Sequence, residues 1–160
     1  MKNKQPTITI GIPAYNEEAN IYYLLRSIIS QKISEGILEK IIVISDGSKD
    51  LTVAQARRVI DNRLLVIDHK QRRGAMAVQN EILEITNSDI LIMLDADVIL
   101  TGKNFVDEIV KPILEDEKIG VVGADTVSIV GRTFIENVIA RSHEFKKNMY
   151  KKINDGDNIY

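Results

Sequence analysis

Asp95 and Asp97 stand two positions apart, directly after the apolar run Ile90 to Leu94. Two carboxylates at i and i+2 on extended backbone project to the same side. Like charges held that close repel, so the spacing favours a cation lying between them and a polyphosphate. Hard oxygen ligands suit Mg²⁺ or Mn²⁺, with phosphate oxygens and water completing the shell. The plain alternative is a solvated loop or a helix-capping acid. Position counts against it, because two other polar clusters also follow apolar runs: Pro13-Ala14-Tyr15-Asn16-Glu17 and Ser45-Asp46-Gly47-Ser48. Tyr15 can pack on a nucleobase, and Glu17 can sit near a ribose. Asp46 can accept hydrogen bonds from a base or ribose, and Gly47 lets backbone come close. Ser48 or Asp50 reads as a cap for the following helix. Arg72-Arg73-Gly74 can pair with phosphate ahead of a helix start, or be a solvated basic turn. His69 and His143 are isolated and receive no role. No Ser-His-Asp set and no Walker-type loop assembles from what remains.

Gathering these clusters requires a particular scaffold. Thr7 to Ile12 is short and β-branched, with Pro13 expected to close it. Ile21, Leu24, Leu25, Ile28 and Ile29 then recur at helical spacing, with Asn16 the expected cap and Glu17 and Glu18 in the first turn. Ile41 to Ile44 reads as a second strand, and Val53, Ala56, Val59 and Ile60 mark a second helix. Leu64 to Ile67 is a third strand. Gly74 precedes a third helix with Ala75, Val78, Ile82 and Ile85 on one face, and Ile90 to Leu94 is a fourth strand. Uniformly apolar strands alternating with helices predict an α/β fold: a mainly parallel, Rossmann-like sheet with helices on both faces. Ligands bind such sheets beyond the carboxyl ends of the strands. All three clusters should therefore open on one edge. Asn104 to Glu115 looks helical, with Pro112 expected to break or kink it. Ile119 to Ala124 and Thr126 to Val130 read as short strands. Phe134, Val138, Phe145 and Met149 suggest a long amphipathic helix from Thr133 to the Asn154-Asp155-Gly156-Asp157 turn. With no repeat and no linker, residues 1–160 read as one domain.

The chain has 160 residues, 44% apolar and 28% charged, enough to bury a core and ordinary for a soluble domain. A net charge of -2 gives no general attraction to nucleic acid, despite the local group Lys146, Lys147, Lys151 and Lys152. Without cysteine there are no disulfides and no thiolate metal sites. Met1 to Pro6 lacks the apolar core of a signal peptide, and no apolar run approaches the roughly 20 residues of a spanning helix. The expectation is a cytoplasmic protein, or one at the cytoplasmic membrane face within a longer parent.

Four stretches together resemble the family 2 glycosyltransferases, which have the GT-A fold. They are IGIPAYNEE (Ile10 to Glu18), IVISDGSKD (Ile42 to Asp50), Arg73-Gly74 with Asn80, and LDAD (Leu94 to Asp97). The resemblance implies sugar transfer, with inversion, from a UDP-, GDP- or dTDP-linked donor to a saccharide, lipid or protein hydroxyl. It implies that Pro13, Ala14, Tyr15 and Glu17 line the nucleoside pocket and that Asp46 flanks the base. Ser45, Arg73, Gly74 and Ala96 join them on the donor side. Asp97 would bind Mn²⁺ or Mg²⁺ directly, with Asp95 near the ribose and metal. Two positions depart from the family: Ser45 replaces an Asp associated with uracil, and Ala75 replaces a Lys common in many members. Neither change touches the metal motif. The acidic base motif of inverting members has no match after Asp97, since Asp125, Glu136 and Asp157 fit loops or a solvated helix better. The catalytic base is therefore unassigned. Family domains run longer than this chain, so a truncated part of a longer parent is expected. A homo-oligomer is compatible with the sequence.

Three other readings stay open. Sugar nucleotidyltransferases place a Gly-rich basic loop after the first strand, where this chain has Pro13 to Glu17. A non-catalytic nucleotide-binding or assembly module would keep the fold without the chemistry, and the missing base motif fits it. A phosphoacceptor using Asp46 leaves Asp95 and Asp97 unexplained.

Overall fold

The computed structural model describes residues 4–124. In chain order these form β1 (Thr7–Ala14), α1 (Ile21–Ile29), β2 (Ile37–Asp46), α2 (Thr52–Arg57), β3 (Leu64–His69), α3 (Ala75–Ile85), β4 (Ile90–Met93) and α4 (Phe105–Glu115). The strands make one four-stranded parallel sheet in the order β3-β2-β1-β4. The chain steps outward from β1 to β3, then returns to the far side of β1. The topological switch thus lies between β1 and β4, where crevices form beyond the carboxyl ends of such sheets.

The period of two along each strand sets the layers. On β2, Ile41 and Val43 join one buried cluster while Ile42 and Ile44 join another. Helices cover both faces, as uniformly apolar parallel strands require. Residues of α1, α2 and α4 pack with Ile8, Ile10 and Ile12 on the first face. The second face is covered by α3 through Val78 and Ile82. Ile21, Leu24 and Leu25 are fully buried and Ile28 is 1% exposed. At roughly 1.5–3 kcal/mol per buried side chain of this size, that stripe anchors α1 to the sheet. Gly11 faces α3, and a β-carbon there would collide with the Ile82 side chain. The missing side chain lets helix and sheet meet closely.

Several expected boundaries move. Pro13 does not close β1, which continues to Ala14 opposite Ser45. Pairing with β4 has already stopped at Gly11–Met93, with Leu94 N–H donating to the Gly11 carbonyl. Pro13 faces that same side one step on, so its absent N–H costs no ladder bond. The first helix starts at Ile21 rather than near Asn16, and Asn20 flanks it without a side-chain cap. The second helix stops at Arg57, leaving Val59 buried beyond its end and Ile60 98% exposed. Pro112 stands inside α4 without breaking it, and the Asp116 N–H still donates to the Pro112 carbonyl. Ile119 to Ala124 is not a strand. The expected Thr126–Val130 strand, the helix from Thr133, the Asn154–Asp157 turn, His143, the lysine group and Asp125, Glu136 and Asp157 lie outside the described residues. Among the described residues, no helix is long and apolar enough to cross a membrane.

Gly11→Ala should destabilise the protein by about 1–3 kcal/mol through overpacking. In an Ile82→Ala background the same substitution should cost almost nothing, because the colliding group has gone. Urea unfolding of the four variants measures this; equal costs in both backgrounds would show that Gly11 is not held to glycine by α3.

Candidate functional site

Beyond the carboxyl ends of the strands lies an open cleft of about 270 Å³, lined by Pro13, Ala14, Tyr15, Glu17, Asp46, Arg72, Ala75, Val78, Gln79, Asp95, Ala96 and Asp97. It sits at the topological switch, lined by the end of β1 and by the residues that follow β4. Among the described residues, its lining sets the carboxylates of Glu17, Asp46, Asp95 and Asp97 against one guanidinium, that of Arg72. Each acid has a different situation.

The β4 strand ends at Met93, and Ala96 and Asp97 form a turn instead of the expected extended backbone. Both Asp95 and Asp97 line the cleft all the same. Ala96 is buried at 4% exposure, anchoring the turn, while Asp95 and Asp97 on either side are exposed. Neither carboxylate is in an ion pair among the described residues. No group of three His, Cys, Asp or Glu side chains converges among those residues either. Two unpaired hard oxygen ligands fit a divalent cation that draws the rest of its shell from phosphate and water. They do not fit a closed structural metal site.

Asp46 is the opposite case. Its side chain is buried, and its two oxygens accept backbone N–H groups from the β3–α3 loop: Oδ1 from Arg73 at 2.6 Å and Oδ2 from Gly74 at 2.8 Å. Both oxygens are thus engaged by the loop, unlike a carboxylate standing free as a phosphoacceptor. Gly47 has φ +69, and a β-carbon there would run into the Gln71–Arg72 backbone. Asp46 and Gly47 thus clamp the end of β2 to the loop that leads into α3.

The β1–α1 and β2–α2 loops are laced together by side chains. Asn16 adopts φ 57, a left-handed conformation that Asn tolerates better than most residues. Its N–H donates to Ser48 Oγ at 3.1 Å, and its Oδ1 accepts the Lys49 N–H at 2.8 Å. Asn16 is therefore a loop tie and not a helix cap. The Glu17 N–H donates to Thr52 Oγ1, and the Leu51 N–H to Glu18. Asp50 accepts from the Glu18 N–H at 3.0 Å and from the Thr52 N–H at 3.0 Å and hydroxyl at 2.5 Å. It does the capping expected of Ser48 or Asp50 and joins the loops as well. Burial pulls its carboxyl upward, but the Thr52 and Glu18 hydrogen bonds outweigh this and hold its pKa below the ordinary value.

Of the residues assigned from sequence, Pro13, Ala14, Tyr15, Glu17, Asp46, Asp95, Ala96 and Asp97 line the cleft, while Ser45, Arg73 and Gly74 do not. Ser45 is fully buried and donates its hydroxyl to Ser48 Oγ at 2.9 Å. The Arg73 guanidinium turns to α3, donating to Glu81 at 2.5 Å beside His69, whose Nε2 is 2.8 Å from the same oxygen. Arg72 faces the cleft instead, its guanidinium 3.8 Å from the Tyr15 ring centroid. Nothing in the dipeptide says which arginine turns inward. Ala75, Val78 and Gln79 are also lining residues, and their i, i+3, i+4 spacing on α3 was the available signal. A larger hollow of about 540 Å³ lies near the start of β3, between Arg57, Ile60 and Leu64. The acid in its lining, Asp61, is engaged: the hydrogen-bonded Arg63 guanidinium holds that carboxyl down at about 2. The chemistry therefore belongs to the smaller cleft.

The glycosyl transferase family 2 model matches residues 9–160. Glucosyl-3-phosphoglycerate synthase from Mycobacterium tuberculosis is 32% identical over 120 residues, covering 72% of this chain and 36% of that protein. Glycosyltransferase AglE of Haloferax volcanii is 33% identical over 61% of this chain and 32% of its own length. The chain thus spans about a third of these relatives. Among solved structures, the mycobacterial synthase with Mn²⁺, UDP and phosphoglyceric acid aligns with TM-score 0.59 and 30% identity, over 71% of this chain and 41% of that one. A Pyrobaculum calidifontis mannosyltransferase in complex with GDP-Man and Mn²⁺ shares the fold, with TM-score 0.62 and 24% identity over 69% of this chain and 33% of that one.

The lowered Asp50 pKa carries a sign. A carboxyl whose folded value lies below its unfolded one stabilises the fold fully above the unfolded value, ordinarily 3.8, and loses that contribution as pH falls through the folded value. At pH 6, Asp50→Asn should cost about 1–2 kcal/mol, from weakened loop hydrogen bonds. That gap should narrow steadily below the ordinary carboxylate range. Urea unfolding of both proteins across pH 6 to pH 3 reads it directly. A gap that stays constant would remove Asp50 from the acid response.

Proposed function

The chain belongs to glycosyl transferase family 2, and on that premise we propose that its cleft holds the nucleoside diphosphate of a sugar donor together with Mn²⁺ or Mg²⁺. The complete reaction proposed is transfer of the sugar to an acceptor hydroxyl with inversion. Residues 1–160 would act in it as one donor-binding domain. The observation that carries this reading is the exposed, unpaired Asp95–Asp97 couple opening on the same cleft as Tyr15 and Glu17. Four carboxylates facing one arginine would repel a diphosphate by themselves. A cation held between acid and phosphate reverses that sign. When bound, it would also stabilise the negative charge that develops on the departing diphosphate.

The chain's own groups divide the remaining work. Tyr15 offers a ring face for the nucleobase, half-buried and therefore fixed in orientation. Glu17, whose carboxylate accepts from the Asn20 side chain at 2.8 Å, is steadied for contact with ribose hydroxyls. Asp46 supports the wall beside the base through the loop it clamps. Asp97 and Asp95 would take the cation. The mycobacterial relative solved with Mn²⁺ and UDP, and with Mg²⁺ and UDP, supports this choice of ion and ligand class.

Calorimetric titration of the chain with UDP and with GDP, in the presence and absence of Mn²⁺, tests the reading. Binding should strengthen at least about tenfold with Mn²⁺, the scale of one additional charge-assisted interaction. Asp97→Ala should abolish that increment and leave the metal-free affinity nearly unchanged. An increment that survives in the variant would refute the assignment of the cation to this pair.

A further inference from the structure

We infer that Arg72 is a selectivity residue: it covers the Tyr15 ring and gives it up only to a ligand that brings phosphate charge. The inference rests on the donor reading above and goes beyond it in naming what the cleft rejects.

Three observations meet at this side chain. The guanidinium lies 3.8 Å from the Tyr15 centroid, which is direct stacking and leaves no room for a base between them. The backbone beneath it is pinned, with Asp46 holding the Arg73 and Gly74 N–H groups and Gly47 packed against Gln71–Arg72. The neighbouring Arg73 is engaged with Glu81, whereas Arg72 is exposed and in no ion pair among the described residues. A fixed root with a free charged tip is the geometry of a group that swings between two partners. One partner is the ring. The other must be an anion inside the cleft, where Arg72 is the only lining cation among the described residues.

The consequence is an exchange. A base that stacks on Tyr15 must first displace the guanidinium, forfeiting a cation–π contact. A bare nucleoside brings Arg72 no new anion for that loss, because the lining carboxylates are present with or without it. A nucleoside diphosphate does, and the displaced guanidinium remains in the cleft and can hydrogen-bond the phosphates in the planar, charge-assisted way arginine favours. Stacking on an aromatic face is tolerant of base identity. Discrimination between nucleoside and nucleotide therefore falls to this arginine.

The test compares uridine and UDP, and guanosine and GDP, by calorimetry with Mn²⁺ on the wild-type chain, Arg72→Ala and Arg72→Lys. Removing the cover should strengthen nucleoside binding about two- to fivefold, the worth of an exposed cation–π contact. Diphosphate binding should weaken about tenfold through loss of a charged hydrogen bond. The two affinities move in opposite directions, which a merely structural arginine would not produce. Arg72→Lys should keep only part of the diphosphate affinity, supplying charge without the planar fork. Weakening of both ligands, or no change in either, would overturn the inference while leaving the donor reading intact. Failure of the wild-type chain to bind any of the four ligands would overturn both.

Discussion

Like-charge repulsion governs the carboxyl edge of this sheet. Four acids line one small cleft, and like charges that share a lining repel unless donors or cations offset them. The protein resolves the problem for two of them internally. Asp46 receives two backbone N–H groups, and Glu17 receives a side-chain amide. Asp95 and Asp97 have no such relief among the described residues and are exposed. On the donor reading, this unresolved half of the charge is what would receive a cation, and through it a phosphorylated ligand.

Asp46 matters for a second reason. Its hydrogen bonds fasten the β3–α3 loop to the end of β2, and Gly47 fits against the same backbone. That clamp sets where α3 begins and which way the two arginines turn. Arg73 goes outward to Glu81 and His69, tying loop to helix. Arg72 goes inward over Tyr15. One carboxylate thus holds the loop from which the cleft receives its arginine.

The layers of the fold and most of the cleft were legible in the sequence because they follow from periodicity. Ile8, Ile10 and Ile12 alternate, and Ile21, Leu24, Leu25 and Ile28 recur at helical spacing, so strand, helix and buried face are fixed together. Polar clusters after apolar runs then had to emerge on one edge. What escaped depended on contacts between segments far apart in the chain. Asn16 looks like a cap by its type and place, but its partners are Ser48 and Lys49. Pro13 looks like a terminator until β4 is known to have already left its side of β1. Pro112 looks like a breaker, though it sits close enough to the end of α4 for the last turn to close around it. Arg72 and Arg73 are identical in type and adjacent, so only the clamp at Asp46 separates their fates.

Ser45 shows how such a contact can redirect chemistry. It occupies the place where the resembling family has an acid associated with uracil. Here its hydroxyl is buried and donates to Ser48, which in turn accepts the Asn16 N–H. A second carboxylate at this point would stand beside buried Asp46, adding a like charge where desolvation already penalises one. The serine instead extends a neutral relay that braces two loops. At this position the side chain offers an incoming ring edge little, because the hydroxyl is fully buried. On the donor reading, base recognition would then lean on the ring face of Tyr15, which reads shape and stacking more than hydrogen-bond pattern. A cleft built this way would, on the donor reading, place its selectivity at the diphosphate end, beside Asp95, Asp97 and Arg72.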